Sequence, residues 1–223
     1  MNTIEIITGE SIGVPWIFFV KGEKTIIVDS GNPGMERLIL KALGRHGIAR
    51  KDVSLLILTH GHIDHCGSAR MLKSMLPMPV ASGWPDADYI ARGESAPGQP
   101  YGPMDGQQTS AVKYPPVKVD LIIQQDTDLN RYGIDGKILV TPGHTAGSIS
   151  VATDDSCLTG DLNMNYVCNG QPVTPMNPQT FNDIRTSIEK VTGNERKYLY
   201  PSHGPRLYSE NVREQCLGSS SIK

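Results

Sequence analysis

The stretch Thr59-His60-Gly61-His62-Ile63-Asp64-His65-Cys66-Gly67 places four potential metal ligands within six positions. It follows a continuous apolar run, Val53-Ser54-Leu55-Leu56-Ile57-Leu58, whose length and composition read as a buried strand. In open α/β sheets the loops at strand ends are where ligands bind. His60 and His62, two apart in extended chain, point the same way and can grip one ion. Asp64 and His65 lie on the turn into the next helix, point elsewhere, and can serve a second ion.

Outward from this stretch, the upstream chain reads as strands at Ile4–Thr8, Val14–Val20 and Thr25–Val28, the last running into Asp29-Ser30-Gly31. Asn32-Pro33 is a helix start signal, and Met35, Leu38, Ile39, Ala42 and Leu43 recur at helical spacing behind it. Downstream, a helix is expected over Gly67–Leu76, stopped by Pro77 and Pro79. Alternating strands and helices imply crossover units with helices packed on a sheet. From Trp84 to Pro116 the chain is rich in proline, glycine, serine and glutamine, with room for one short helix near Asp86–Arg92. So long a loop reads as a lid or substrate-covering element.

Strands resume at Val119–Ile123, at Lys137–Val140 after a hairpin through Tyr132–Gly136, at Ser148–Thr153 and at Ser156–Thr159. A helix over Pro178–Val191 carries Phe181, Ile184, Ile188 and Val191 on one stripe. A last strand, Lys197–Tyr200, leads into Pro201-Ser202-His203-Gly204. Residues 1–217 read as one domain and 218–223 as a frayed tail.

The chain has 223 residues, 38% hydrophobic and 20% charged, which is the composition of an ordinary globular protein. No apolar run approaches the roughly 18–20 residues of a spanning helix, and no basic-then-apolar leader is visible. The 21 basic and 23 acidic side chains leave a net charge of -2, with no bulk attraction for nucleic acid or an anionic membrane. Four cysteines without a CxxC pair fit a reducing compartment, so a cytoplasmic location is expected. Of the six histidines, His46 sits at a helix end, where it reads as a capping residue.

Three further candidates recur beyond strands: His144 in Thr141-Pro142-Gly143-His144-Thr145, Asp161 after Thr159-Gly160, and His203 after Tyr198-Leu199-Tyr200. Each alone reads as a loop residue; together they share one sheet edge with the opening stretch. HxHxDH, PGHT, TGD, SHGP and the early Asp29-Ser30-Gly31 together resemble the metallo-β-lactamase superfamily, over residues 29 to 203. The resemblance implies an α/β fold, a four-layer αβ/βα sandwich of two mixed β-sheets flanked by helices, with a metal site along one edge. It implies that His60, His62 and His144 hold one metal, that Asp64, His65 and His203 hold another, and that Asp161 bridges them. It also implies that Asp29 orients a histidine or the ligand loop by hydrogen bonding. Two divalent ions are expected, zinc foremost, with iron or manganese also suited to imidazole and carboxylate.

Two divalent cations about 3.5–4 Å apart lower the pKa of a shared water and hold it as a bridging hydroxide. Asp64 and Asp161 are therefore expected to take part in catalysis as well as ligation. No GxSxG elbow competes as a nucleophile, and Cys66 reads as a packing residue. The compact glyoxalase-II-like group is the nearest likeness, which implies hydrolysis of a small ester, thioester or lactone. The segment after Asp161 lacks the Gly-Arg-rich stretch of glyoxalase-II and dioxygenase relatives, and no basic glutathione-binding helical domain follows. The alternatives are an iron-dependent oxidoreductase of the persulfide dioxygenase type, a lactonase- or β-lactamase-like hydrolase, and a non-catalytic metal-binding module. Tyr166 is a candidate oxyanion donor and Trp84 a candidate substrate contact. The expected partner is a small molecule; oligomeric state is left open.

Overall fold

A computed structural model of the chain describes residues 2–7, 15–98, 113–168, 171–173, 181–193 and 196–217. Six strands form the first sheet in chain order: β1 (Thr3–Ile6), β2 (Phe18–Lys21), β3 (Thr25–Val28), β4 (Val53–Leu58), β5 (Val80–Gly83) and β6 (Leu121–Ile123). β1, β2 and β3 pair antiparallel, whereas β3 through β6 run parallel. The parallel pairs need crossovers, supplied by α1 (Glu36–Arg45) between β3 and β4 and by α2 (Ile63–Cys66) with α3 (Ala69–Met75) between β4 and β5.

The second sheet also has six strands: β7 (Thr127–Asp128), β8 (Lys137–Val140), β9 (Ile149–Ala152), β10 (Ser156–Gly160), β13 (Tyr198–Pro201) and β14 (Leu207–Tyr208). Its spatial order is β14-β13-β10-β9-β8-β7. Only β10 and β13 are parallel; the other neighbours are antiparallel. A two-stranded ribbon of β11 (Met164–Cys168) and β12 (Gln171–Val173) intervenes, and α5 (Phe181–Val191) makes the crossover to β13.

The side-chain alternation of these strands builds the layers. In β4, Leu56 and Leu58 point to a cluster with Ile39, Ala42, Leu43 and Leu72 of α1 and α3. Leu55 and Ile57 point the other way, to a cluster with Ile138, Val151 and Leu158 of the second sheet. A strand covered on both faces is apolar on both, hence the unbroken run Leu55–Leu58 after the half-buried Ser54. On the far side, Leu139, Cys157 and Leu199 pack on Ile184, Ile188 and Val191 of α5 and Val212 of α6 (Ser209–Leu217). The result is the expected sandwich of two mixed sheets with helices outside.

Several elements depart from the sequence-based expectation. α1 starts at Glu36 rather than at Asn32-Pro33, because Gly34 (φ 95°) turns the chain out of helical geometry. Leu38 lies on its solvent face, 42% exposed, while Glu36 takes a buried place beside Ser68. The helix expected over Gly67–Leu76 is present as Ala69–Met75, and a separate short turn of helix, Ile63–Cys66, precedes it inside the ligand stretch. α4 (Asp86–Arg92) falls where the short helix was expected. α6 was not foreseen: Val212 is its one fully buried apolar side chain, too little periodicity to read. Of the expected lid, residues 99–112 lie outside the described residues, as do Thr8, Val14 and the tail. Among the described residues no helix is long and apolar enough to cross a membrane.

Candidate metal centre

The parallel strands β3, β4, β10 and β13 all end at one edge of the sandwich, and each is followed by a polar residue of the site: Asp29, Thr59-His60, Asp161 and Ser202-His203. β8 contributes the loop that carries His144. Close approach of the sheets here depends on glycine. A Cβ on Gly160, whose φ is 56°, would stand 2.9 Å from the Thr59 side chain.

The structure brings all seven predicted donors together, in three overlapping groups: His60, His62 and His144; His60, His65 and Asp161; and Asp64, His65 and His203. His62 Nδ1 lies 3.1 Å from His60 Nε2 and 3.0 Å from His144 Nε2. Nitrogens each 2.0–2.1 Å from one tetrahedral zinc stand about 3.3 Å apart, so this trio suits a common ion. Asp161 lies between the groups. Its Oδ2 is 3.6 Å from His144 Nε2 and 3.5 Å from His203 Nε2, and its Oδ1 is 3.5 Å from His65 Nε2. His65 Nε2 and Asp161 Oδ1 are both buried and make no hydrogen bond, the condition of atoms built to share a cation. Asp64 Oδ2, 3.6 Å from His65 Nε2 and 3.4 Å from His203 Nε2, belongs to the one donor side chain with substantial exposure (28%).

The electrostatics differ between the two ends. Burial lowers His60 well below the usual imidazole range, helped by the neighbouring rings of His65 and His144. Burial also lowers His62, and takes His144 down to about 3. These three rings are neutral at pH 7 and present lone pairs. At the other end burial again disfavours charge, but Asp161, Asp64 and Asp29 outweigh it and raise His65 well above its ordinary value. Asp161 and Asp64 likewise outweigh burial and raise His203. In return, against the opposing effect of burial, His65 and His203 bring Asp64 down to about 2. The carboxylates thus favour positive charge at this end.

Asp29 sits beneath the site, fully buried, with φ 64°, the one positive φ outside glycine among the described residues. Its short polar side chain tolerates that conformation. Its Oδ1 accepts from Thr59 N (2.8 Å); its Oδ2 accepts from Thr59 Oγ1 (2.9 Å), His65 Nδ1 (2.8 Å) and, more weakly, Ser202 Oγ (3.4 Å). A carboxylate only accepts, so His65 donates from Nδ1 and its Nε2 is turned to the ion site. His62 is held similarly, its Nε2 bonded to Ala96 O at 3.1 Å and its Nδ1 free to ligate.

Cys66 is buried and its Sγ donates to His60 O at 3.0 Å; burial pushes the thiol well up, so it acts as a packing residue. His46 caps α1, its N–H on Ala42 O, away from the site. Trp84 is 57% exposed and makes no hydrogen bond or ring contact with the seven donors among the described residues. Tyr166 lies on β11, but its side chain falls outside the described residues. Sequence reading gave no role to Asp86 or Ala96, which touch the ligand loops from inside the expected lid. The Trp84–Pro116 segment reads as a lid or substrate-covering element, and nothing in its composition marks these two as supports of the ligand loops.

A family model described as the metallo-beta-lactamase superfamily matches residues 12–203. A probable metallo-hydrolase of Methanocaldococcus jannaschii is 27% identical over 189 residues, 84% of this chain and 86% of that protein. A hydroxyacylglutathione hydrolase of Xanthomonas campestris pv. campestris is 26% identical over 170 residues, 76% of this chain but 53% of that protein. Among solved structures, a mutant metallo-beta-lactamase from Cronobacter sakazakii superimposes with a TM-score of 0.67 at 21% identity, covering 90% of this chain and 77% of the other, a likeness of fold. With the sandwich in place, its edge carrying the clustered histidines and aspartates, and the family model spanning most of its length, the chain belongs to the metallo-beta-lactamase superfamily.

Proposed function

We propose that this metal-dependent hydrolase works with two divalent ions, most suitably zinc, on a small ester, thioester or lactone. The observation that carries the reading is the shared carboxylate: Asp161 reaches donors of both groups within 3.5–3.9 Å. In this reading His60, His62 and His144 hold one ion, Asp64, His65 and His203 the other, and Asp161 spans them. When bound, such ions supply Lewis acidity to a carbonyl oxygen and lower the pKa of water. The protein's part is positional. The lowered imidazoles of His60, His62 and His144 offer lone pairs without a proton to displace, and Asp29 and Ala96 fix which nitrogen of His65 and His62 faces inward. In this reading Asp64, the donor with the most exposure, would accept a hydrogen bond from the attacking water and orient it.

The likeness to a hydroxyacylglutathione hydrolase supports a thioester among the substrates. The net charge of -2 supports a small molecule over nucleic acid. The test is metal analysis together with a panel of thioesters, lactones, β-lactams and phosphoesters, assayed on wild type and His60→Ala. Two ions per chain, and thioester or lactone hydrolysis that stops on chelation and in His60→Ala, are expected. Full metal content and activity in His60→Ala, or oxygen uptake with thiol persulfides by an iron-loaded chain, would overturn it.

A further inference from the structure

We propose that Asp86 is the positioning residue of the His60/His62/His144 group, a carboxylate strut that locks two ligand loops from different sheets into one register. The inference rests on the metal reading above. Asp86 opens α4, just beyond β5, and is 1% exposed. Its Oδ2 accepts from Gly61 N at 2.8 Å, the peptide between His60 and His62. The same oxygen accepts from Thr145 Oγ1 at 2.7 Å, directly after His144. Its Oδ1 accepts from Gly147 N at 2.9 Å, in the same loop. None of the seven donors is touched; Asp86 acts on the chain that carries them.

One glycine clears space for this carboxylate and a second for Ala96 beside it. A Cβ on Gly147 would stand 2.5 Å from Asp86 N and Oδ1, and one on Gly61 would stand 2.9 Å from Ala96 Cβ. The next peptide, between Gly61 and His62, is clamped too, its carbonyl accepting from Ala96 N at 2.9 Å and Tyr114 Oη at 3.2 Å. Gly61 therefore cannot rotate without breaking bonds on both faces. Its two flanking histidines inherit that rigidity, and His144 is tied to them through the same side chain. No such strut joins Asp86 to Asp64, His65 or His203; Asp29 serves that end.

Asp86→Asn preserves volume but has one acceptor oxygen where two are needed, so an amide hydrogen must face the Gly61 or the Gly147 N–H. Zinc affinity is measured in two backgrounds that each leave one group whole. In His203→Ala, where the ion reports on His60, His62 and His144, Asp86→Asn is expected to weaken binding roughly 10–100-fold. In His144→Ala, where it reports on the other group, the change is expected within about twofold. Equal loss in both backgrounds, or none in the first, overturns the inference while leaving the metal reading intact. A wild-type chain that takes up no zinc overturns both. Should Asp86→Asn not fold, Thr145→Val removes one donor and is expected to show the same selectivity with a loss of roughly 2–10-fold. An unselective loss there overturns the inference equally.

Discussion

Replacing Asp29 by asparagine separates orientation of a ligand from folding of the chain. Asparagine tolerates the left-handed backbone (φ 64°) that Asp29 adopts, so the substitution adds little local strain. It leaves one acceptor oxygen for the donors now shared between two. The Thr59 backbone N–H cannot reverse its role, so the remaining oxygen stays with it. The amide nitrogen then faces His65 Nδ1, which must give up its proton and accept. That moves the ring proton to Nε2, the atom 3.5–3.6 Å from Asp161 and Asp64, and removes the lone pair aimed at the ion.

A hydrogen bond to a charged acceptor contributes about 1.5–3 kcal/mol, which is roughly 10–100-fold in an equilibrium constant. At about 2–4 °C per kcal/mol for a chain of this size, the metal-free Tm should fall by roughly 3–12 °C. Equilibrium dialysis against buffered zinc, with metal analysis, should show the wild type holding two ions and Asp29→Asn retaining the one bound by His60, His62 and His144. Calorimetry on the metal-free forms supplies the Tm. An Asp29→Asn chain that keeps both ions at wild-type affinity would refute the tautomer reasoning, whatever its Tm.

Protonation supplies a second prediction. His65 and His203 are raised and so keep their protons to higher pH in the metal-free chain than His60, His62 and His144, which are lowered. Lower pH favours the protonated, metal-free form, so affinity at the Asp64/His65/His203 group should rise with pH, about tenfold per unit for each proton released, until those histidines deprotonate. The other group should release almost none near pH 7; titration calorimetry in buffers of different ionisation enthalpy counts the protons, and equal release from both ions would contradict this. Gly98→Ala places a Cβ 2.6 Å from the His62 ring and 3.2 Å from His144 O. Overpacking of this kind costs about 1–3 kcal/mol, and a drop in metal content with a folded near-UV spectrum is the expected outcome.

The layers and the donor set were legible because both rest on local pattern. Val53–Leu58 is apolar at every position but the half-buried Ser54 since both its faces are covered, and each donor follows the strand that delivers it. α6 was illegible because a single buried valine holds its centre and carries no period. The start of α1 was misplaced because Gly34 overrode the cap signal of Asn32-Pro33. Asp86 and Ala96 escaped notice for a different reason. Their partners lie 25 to 61 residues away in the chain, and a single carboxylate or a backbone carbonyl in a proline-rich segment carries no local sign of what it touches.

The donors come from loops of both sheets, spread from residue 60 to residue 203. An ion held by them is therefore also a cross-link, closing long stretches of chain that would otherwise separate on unfolding. Because each group of donors includes a residue distant from the opening stretch, the complete site exists only once the two sheets have met. The free energy of binding is then returned as resistance to opening: at an ion concentration 100 times Kd, each site adds about 2.7 kcal/mol to the folded state. In the proposed reading, an ion that equips the edge of the sandwich for chemistry also fastens its two halves together. Chelation should accordingly accelerate proteolysis as well as stop turnover.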